Sequence, residues 1–255
     1  MNSPKLLLRR QSVLTFIYEN GEISLDQVCK AFNLSEVTAR RDLRVLQEEN
    51  RIWKIKGNIY SGIKPPSSNM DDYFAKNQFI AQMVVDSLAN NNIVFLGPEQ
   101  INDVIANVLL SKKHGLTIIT SNIRHVAILR NQEIHEVFLV GGKIDLKTGI
   151  IYGPYTENVI NAMISDVAIF GCKSIDIDKG VFFNSDLETQ ILSKILNYCH
   201  SLCIIADHTQ FSDEGSGPIF PLKKIEVIFT DTKLDREIVR KIREKGIEVI
   251  QAEII

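Results

Sequence analysis

Apolar residues near the N-terminus recur with the spacing of amphipathic helices. The pattern predicts a first helix over Lys5–Glu19 and a second over Leu25–Phe32, for which Ser24 is a suitable N-cap. A tight turn at Asn33–Ser35 leads into a third helical segment. Beyond it, Arg51–Gly62 places alternate side chains on opposite faces around a Gly-Asn dipeptide, which predicts a β-hairpin. This part of the chain is therefore predicted to hold three short helices followed by a hairpin.

The third helix has a buried face formed by Ala39, Leu43 and Leu46, and its opposite face is basic. Basic residues on a lone helix usually form i, i+4 pairs with glutamates, here Glu36 and Glu48, and make only a solvated surface. In this chain the preceding helix, the turn and a basic hairpin coincide with the basic helix. That order is typical of a winged helix-turn-helix, whose third helix enters the major groove of DNA. The predicted DNA-binding residues are Ser35, Val37, Thr38, Arg40, Arg41, Arg44, Lys54 and Lys56.

A segment rich in proline, serine and asparagine, Ser61–Asn69, interrupts the periodic pattern and is typical of a linker. We predict a DNA-binding domain over residues 1–62, a linker over 63–70 and a second domain over 71–255. Residues 1–64 hold 11 Lys+Arg and 7 Asp+Glu, a balance of +4, which leaves 18 basic and 24 acidic residues, or −6, for the remainder. The charge asymmetry indicates that only the first domain meets a polyanion.

After the linker, short continuous apolar runs alternate with helical segments. Continuous runs are typical of parallel strands that are buried on both faces. We therefore predict a doubly wound, mostly parallel α/β domain. The predicted strands are Ile93–Leu96, Leu116–Thr120, Val137–Val140, Val167–Phe170, Leu202–Ala206, Val227–Thr230 and Glu248–Ile250. The predicted helices are Ile80–Ala89, Ile101–Leu110, Ile123–Arg130, Thr156–Ile164, Leu187–Asn197 and Asp235–Lys245.

Ligands of doubly wound sheets bind outside the carboxyl ends of the strands. Polar or glycine residues follow successive predicted strands, and together they favour a small-molecule site. Each fragment alone is weak evidence, because Gly141-Gly142 could be a simple turn and Asn122 could merely cap the next helix. The candidates from the strand ends are Gly97, Glu99, Gln100, Ser121, Asn122, Gly141, Gly142, Lys143, Gly171, Lys173, Asp207 and Gln210.

Composition narrows the class of protein. The 255 residues are 45% hydrophobic and 24% charged, as in soluble globular proteins, and no apolar run has the length of a membrane span. The N-terminus lacks a signal-peptide pattern, so we expect a cytoplasmic protein. The four cysteines lack the paired spacing of a zinc site, and Cys199 and Cys203 are expected to pack near a helix end. We expect no metal and no cofactor.

The N-terminal segment resembles the winged helix of the DeoR family of bacterial transcriptional regulators. The resemblance is carried by SEVTARRDLRVLQEENRIWKIKGN, with its Ser/Thr-rich turn, Arg-Arg-Asp-Leu core and basic wing. It implies that Arg40, Arg41 and Arg44 contact operator DNA and that Lys54 and Lys56 lie on adjacent phosphates. Departures from the family pattern are small: alanine replaces the usual isoleucine before the paired arginines, and Lys-Gly-Asn replaces His-Gly-Gly in the wing.

The resemblance extends through the second domain. The matching motifs, in order, are Ser121-Asn122, LVGGK, DVAIFGCKSID, the Glu188/Lys194 pair and IIADHTQF. In this family the second domain is similar to sugar-phosphate isomerases and commonly binds a phosphorylated sugar that changes DNA affinity. Glu188 and Lys194 therefore join the candidates for effector binding, and Asp186 is a further candidate.

Two departures fall where the phosphate of such an effector would bind. The family's Asp-x-Gly-Thr-Thr is here Gly97–Ile101, which contains Pro98 and Glu99, and its Ser-Lys-Phe is here Thr209–Phe211. An ionised Glu99 about 4 Å from a phosphate charge would repel it by about 4 kcal/mol at the effective dielectric of a protein surface. We therefore predict an effector that is unphosphorylated or depends only weakly on its phosphate.

The sequence thus predicts a DNA-binding repressor of a carbohydrate-utilisation operon that forms a homo-oligomer. An alternative is an isomerase-like enzyme, in which Asp186, Glu188, Lys194 and Asp207 would supply acid/base groups. Another alternative is a DNA-binding protein whose second domain no longer responds to a ligand. Turnover of phosphopentoses would identify the enzyme, and a ligand-dependent change in DNA affinity would identify the regulator.

Overall fold

The structure, a computed structural model, describes residues 4–20, 22–48, 51–55, 58–61, 70–112, 115–130, 136–212 and 217–252. The chain divides into two compact units, one of residues 1–76 with 107–112 and the other of residues 77–106 with 113–255. Of the predicted linker, only Met70 is among the described residues, where it begins a helix. The predicted DNA contact Lys56 also lies outside them.

The first unit has the predicted order of helices and wing. Its elements are α1 (Pro4–Asn20), β1 (Glu22–Ser24), α2 (Leu25–Phe32), α3 (Glu36–Glu48), β2 (Ile52–Ile55) and β3 (Asn58–Ser61). The hairpin β2–β3 is confirmed, and the short strand β1, which the sequence did not predict, pairs with β3 to complete an antiparallel sheet. The winged helix-turn-helix architecture is therefore confirmed.

Local signals explain where these helices begin and end. The Ser24 hydroxyl accepts the backbone N–H of Gln27, whose side chain in turn accepts the N–H of Ser24, so the two form a capping box at the start of α2. Asn33 ends α2 with φ of 49°, a left-handed conformation that asparagine tolerates. The core of the first unit packs Val13, Leu14 and other apolar side chains of α1 against α2 and α3.

Most of the second unit is an α/β fold. The remaining helices of the chain are α4 (Met70–Ser87), α5 (Gln100–Lys112), α6 (Ile123–Leu129), α7 (Pro154–Asn161), α8 (Asp186–Ile195) and α9 (Arg236–Glu244). The remaining strands are β4 (Ile93–Leu96), β5 (Thr117–Thr120), β6 (Glu136–Leu139), β7 (Lys143–Ile144), β8 (Ile151–Tyr152), β9 (Ser165–Gly171), β10 (Ser174–Asp176), β11 (Gly180–Phe182), β12 (Cys199–Ile205), β13 (Ile219–Phe220), β14 (Val227–Asp231) and β15 (Glu248–Ala252).

Seven of these strands form one sheet in the order β15-β14-β12-β9-β4-β5-β6, and all the neighbouring pairs are parallel. The doubly wound parallel sheet is therefore confirmed. Strand order reverses between β4 and β9, because the chain first builds outward from β4 to β6 and then from β9 to β15. Ligands of such sheets bind at this switch point. Beneath it the rings of Phe95 and Phe170 stack at 5.7 Å between centroids, so the floor of the switch point is apolar and fixed.

Two small antiparallel sheets, β7–β8 and β10–β11–β13, were not predicted. The cysteine prediction was wrong in its element: Cys199 and Cys203 lie on β12 rather than near a helix end, because the strand begins earlier than its apolar core suggests. Among the described residues, no helix is long and apolar enough to cross a membrane.

Candidate nucleic-acid interface and effector site

The outer face of α3 is exposed. Its buried positions are Ala39, Leu43 and Leu46, as predicted, whereas Arg40, Arg41 and Arg44 are exposed. Val37 is also turned outward, with 78% of its surface accessible. An exposed β-branched apolar residue one turn before the arginines gives this face both charge and an apolar contact point, the two kinds of group that read DNA in the major groove.

The alternative interpretation of α3, in which its arginines pair with nearby glutamates, is correct for one arginine, Arg40. Arg40 Nη2 lies 3.1 Å from Glu36 Oε2, and both side chains are exposed. An exposed pair of this kind contributes about 0.3–0.5 kcal/mol, so a phosphate can replace the glutamate easily. Arg41 and Arg44 form no ion pair with another described residue.

The wing brings a further cation to α3. The pKa of Lys54 on β2 is lowered, first because the side chain is partly buried and then because the charges of Arg40 and Arg44 lie nearby. Three cations from two elements are therefore crowded on one surface. Such crowding is relieved by a polyanion, and releasing counterions from DNA phosphates favours binding further.

Ser35 and Thr38 at the start of α3 bond to each other. Their hydroxyl oxygens are 3.0 Å apart, and the backbone N–H of Thr38 donates to Ser35 Oγ at 3.4 Å. Both residues are thus positioned at the N-terminus of α3, where they stabilise the helix start.

Asp42, in the Arg-Arg-Asp-Leu motif, has a structural role that the sequence did not indicate. Its carboxylate is buried and accepts hydrogen bonds from Arg9 Nε at 2.7 Å and Arg10 Nε at 3.2 Å. These charge-assisted bonds tie α1 to α3. The motif therefore combines outward arginines with an inward aspartate that orients the helix carrying them.

In the second unit, the switch point is spanned by a hydrogen bond. The backbone N–H of Gly171, at the end of β9, donates to Glu99 Oε2, after β4, at 3.2 Å. The Nδ2 atom of Asn102 donates to Glu99 Oε2 at 3.3 Å and to the carbonyls of Gly97 at 2.9 Å and Ile169 at 3.1 Å. Asn102 was not predicted, because an asparagine in the first turn of a helix has no sequence feature that marks it as buried.

Glu99 is buried, with only 6% of its surface accessible. Burial, and then the nearby charge of Glu188, raises the pKa of Glu99 well above its usual value, although hydrogen bonds from its own N–H, Gly171 and Asn102 oppose this. From the sequence, an ionised Glu99 that repels phosphate was expected. The structure does not support that expectation, because burial in this position favours the neutral acid.

Further titratable groups surround the same point. Glu188, at the start of α8, is buried, accepts the N–H of Asn184 at 2.8 Å and has a pKa raised by burial. The pKa of Cys172 is raised by burial and then by the charges of Glu99, Asp207 and Glu188. The ends of β4, β9 and β12 and the start of α8 thus bring acidic groups into one buried cluster. A cluster of groups with raised pKa values at a switch point is typical of a ligand site.

Gln210 joins the loop after β12 to this cluster. Its Nε2 donates to the carbonyl of Cys172 at 2.6 Å, and its Oε1 accepts the N–H of Asp207 at 2.8 Å. Asp207 in turn accepts the N–H of Thr209 at 2.8 Å and also its hydroxyl. These bonds hold the loop that carries Asp207 and Gln210 against β9.

Asp207, His208 and Asp231 lie close enough together to be considered as metal ligands, since one ligand atom of each falls within 4.8 Å of the others. The oxygens of Asp231 already accept hydrogen bonds. Its Oδ2 lies 2.9 Å from the N–H of His208 and 2.8 Å from His208 Nδ1, and its Oδ1 accepts the N–H of Lys233 at 2.8 Å. We assign this group to fixing the loop.

Apart from Ser121, whose buried hydroxyl has no hydrogen-bond partner among the described residues, the candidates after β5 and β6 have structural uses. Asn122 caps α6 through the N–H of Arg124 at 3.0 Å and donates to the carbonyl of Pro98 at 2.9 Å, as the simpler interpretation predicted. Ser121 is fully buried.

The Gly141-Gly142 turn also serves packing. Thr156 donates its hydroxyl to the carbonyl of Gly141 at 2.7 Å. Gly142 has φ of 149°, and a Cβ there would lie 2.2 Å from Thr156 Oγ1, so only glycine fits. Lys143 lies over the ring of Tyr152, with Nζ 5.7 Å from the centroid.

Four further predicted residues also lie outside the buried cluster. Gln100, Lys173 and Asp186 are exposed. Lys194 lies in the last turn of α8, with its Nζ 2.8 Å from Glu157 Oε2 on α7. The structure therefore brings together six of the predicted residues, and the other candidates lie outside this cluster. The six are Gly97, Glu99, Gly171, Glu188, Asp207 and Gln210.

Comparison with known proteins identifies both parts of the chain. Residues 9–61 match the DeoR-like helix-turn-helix domain, and residues 74–232 match the DeoR C terminal sensor domain. The glycerol-3-phosphate regulon repressor of Haemophilus influenzae is 29% identical over 89% of each chain. The HTH-type transcriptional repressor CsqR of Escherichia coli is 24% identical over 95% of this chain and 94% of its own.

Among solved structures, ribose 5 phosphate isomerase A from Neisseria gonorrhoeae is similar to 53% of this chain over 52% of its own, with 13% identity and a TM-score of 0.39. A similarity this low carries no argument about activity.

Proposed function

Since the chain belongs to the DeoR family of transcriptional regulators, we propose that it represses a carbohydrate-utilisation operon by binding operator DNA, under the control of a small sugar-derived effector. Its relatives bear the names of transcriptional repressors, one of them of a glycerol-3-phosphate regulon. Because such a regulator acts on the chromosome, we place it in the cytoplasm.

One observation carries the DNA-binding half of the proposal. The pKa of Lys54 on the wing is lowered by burial and then by the nearby charges of Arg40 and Arg44 on α3, and Arg41 is exposed on the same helix. In this proposal Arg41 reads a base edge, and Lys54 contacts a phosphate. Arg40, Arg44, Ser35, Val37 and Thr38 complete the surface, and Lys56 is assigned to the wing contact from sequence alone.

The buried cluster at the switch point is the proposed effector site. Its centre is Glu99, Gly171, Glu188, Asp207 and Gln210, which come from separate elements. The effector binds there without placing a phosphate in the Gly97–Gln100 loop, because Pro98 offers no N–H and the Glu99 carboxyl group already accepts the N–H of Gly171.

We also propose a homo-oligomer. A winged helix covers few base pairs, so specific regulators commonly bind two half-sites as dimers. The strand β6 forms one edge of the large sheet and exposes Phe138 and Leu139, with 46% and 39% of their surfaces accessible. A second copy of the chain that covers this edge would remove both the apolar exposure and the unpaired strand.

We propose no catalytic role. The acid/base residues of the enzyme alternative do not form one arrangement. Asp186 is exposed, and Lys194, about two turns further along α8, is paired with Glu157 on α7. The carboxylate of Asp207 accepts hydrogen bonds from its own loop.

The test is selection of operator sequences from random DNA by the full-length protein, followed by gel shift and footprinting on the selected sites. The proposal predicts a selected sequence with two related half-sites, and it predicts that a sugar-derived compound releases the DNA. Failure to enrich any sequence, with folded protein, would remove the DNA-binding proposal.

A further inference from the structure

The Glu99 carboxyl group occupies a set of hydrogen-bond donors that otherwise favour an anion. Its Oε2 accepts from the backbone N–H of Gly171 and from Asn102 Nδ2, at 3.2 Å and 3.3 Å. It lies directly before α5, a helix of 13 residues whose N-terminus is electropositive. Backbone N–H groups beside a helix N-terminus are the usual components of a phosphate site. Here a side chain of the protein itself fills it.

The other carboxyl oxygen of Glu99, Oε1, is buried and has no hydrogen-bond partner among the described residues. The same holds for Asn102 Oδ1, and the orientation of that amide is fixed because its Nδ2 faces the carbonyls of Gly97 and Ile169. A buried oxygen without a hydrogen bond destabilises the protein, so these atoms favour a ligand that supplies the missing hydrogen bonds.

The chemistry of the unpaired atoms restricts the ligand group. Asn102 Oδ1 only accepts hydrogen bonds, and Glu99 Oε1 accepts when ionised and donates when protonated. A fully ionised phosphate only accepts, so it cannot satisfy Asn102 Oδ1. A hydroxyl group both donates and accepts. Beside a protonated Glu99, one hydroxyl can accept from Oε1 and donate to Asn102 Oδ1, whereas beside an ionised Glu99 two hydroxyl groups are needed, one donating to each oxygen.

We propose that Glu99 is a specificity-determining residue, which fills the anion position at the start of α5 with its own carboxyl group and thereby selects a neutral hydroxyl group of the effector at that position. The inference rests on the proposed effector site but not on DNA binding. The part of the effector that enters the switch point is then the polyol portion of a sugar or sugar alcohol, not its phosphate.

Packing supports the idea that Glu99 and a phosphate exclude one another. A Cβ on Gly97 would lie 2.4 Å from Glu99 Oε2, and one on Gly171 would lie 3.1 Å from Glu99 Cβ. The carboxyl group therefore fills the space between the two strand ends, and a phosphate could enter only after the Glu99 side chain leaves.

The experiment measures binding of small probes to the full-length protein by thermal shift and calorimetry, without DNA. The probes are inorganic phosphate and two matched pairs, glycerol with glycerol 3-phosphate and D-ribose with D-ribose 5-phosphate. The variants are Glu99→Gly and Glu99→Ala, which both remove the carboxyl group, and Glu99→Gln, which keeps an oxygen for the N–H of Gly171. Gln100→Gly is the control for added flexibility at the next position.

We expect the removal of the carboxyl group to lower the dissociation constant for inorganic phosphate at least tenfold in Glu99→Gly or Glu99→Ala. Glu99→Gln and Gln100→Gly should bind phosphate as weakly as the wild type. Preference within any matched pair that binds should move toward the phosphorylated member in the same two variants. Tight phosphate binding by the wild type, or no gain in either folded variant that lacks the carboxyl group, would overturn the proposal.

Equal gains in Glu99→Gln and Glu99→Gly would also overturn it, because charge rather than occupancy would then exclude phosphate. Loss of operator binding has no bearing on these measurements, so failure of the DNA-binding proposal is distinguishable from failure of this one.

Discussion

Arg9 Nε lies 2.7 Å from Oδ2 of Asp42, so helix α1 is fixed directly to α3, the helix whose arginines are proposed to contact DNA. Asp42 is 1% accessible and also accepts a hydrogen bond from Arg10. The orientation of the proposed DNA-binding surface therefore depends on a residue that does not itself lie on that surface.

Asp42→Ala should destabilise the winged helix by about 3–5 kcal/mol, because it leaves buried arginine charge without its partner. Asp26→Ala is a matched control, since its pair with Lys30 is exposed and contributes less than about 1 kcal/mol. Chemical unfolding of both variants gives the comparison. Equal stability of the two proteins would show that the buried pair does not hold α1 to α3.

Glu99→Gln should change how stability depends on pH. The folded-state pKa of Glu99 is raised above its unfolded value of about 4.3, so its stabilising contribution is complete below that pH and is lost as pH rises through the folded-state pKa. In Glu99→Gln the side chain does not ionise, so the variant does not lose stability in this way. Relative to the wild type, it should gain stability with rising pH, by about 1.4 kcal/mol for each pH unit between the two pKa values.

Chemical unfolding at several pH values between about 4 and 9 measures this difference. The range begins near the unfolded pKa of glutamate and extends past neutrality. The measured difference includes the coupling between Glu99 and Glu188, because the nearby charge of Glu188 is one of the causes that raise the pKa of Glu99. Glu48→Gln, at an exposed position, serves as the control. Parallel pH profiles for wild type and Glu99→Gln would mean that Glu99 ionises freely in the folded protein.

Much of the fold could be predicted, because its signals are local. The buried positions Ala39, Leu43 and Leu46 follow from helical periodicity, and the seven parallel strands follow from continuous apolar runs. Strands of two or three residues, such as β1 and β7, are too short to show a repeated alternation of apolar and polar residues and were missed.

The partners of individual site residues could not be predicted. Glu99 is 72 positions from Gly171, and Arg9 is 33 from Asp42, so neither contact has a local pattern. The sequence indicated that Glu99 departs from the family motif, but its burial depends on which strands are neighbours at the switch point. An ionised, phosphate-facing Glu99 was therefore a reasonable expectation that the structure does not support.

Lys54→Ala should weaken specific and non-specific DNA binding by similar factors, because a phosphate contact carries no sequence information. Loss of one phosphate contact should flatten the dependence of log affinity on log salt concentration by about one unit of slope. Titrations of operator and random DNA at several salt concentrations provide both values. A loss confined to operator DNA with an unchanged slope would instead assign Lys54 to base reading.

The full-length protein should be at least a dimer in light scattering at micromolar concentration. Phe138→Glu and Leu139→Glu place charge on the edge strand β6 and should lower the mass, because a charged edge resists pairing. Ile219→Glu, at another exposed apolar position, is the control and should leave the mass unchanged. A monomeric wild type would remove the oligomer proposal, and an unchanged mass in both β6 variants would move the interface elsewhere.

The central claim is that α3 reads operator DNA, and fluorescence anisotropy with a selected operator tests it most directly. Arg41→Ala should weaken operator binding by about 1–3 kcal/mol and relax specificity at one base pair, with unfolding curves unchanged. Arg236→Ala, which removes an exposed arginine from α9, should bind the operator as the wild type does. If Arg41→Ala and Arg236→Ala both bind operator DNA with the wild-type affinity and the wild-type preference among sequences, α3 is not the DNA-reading helix.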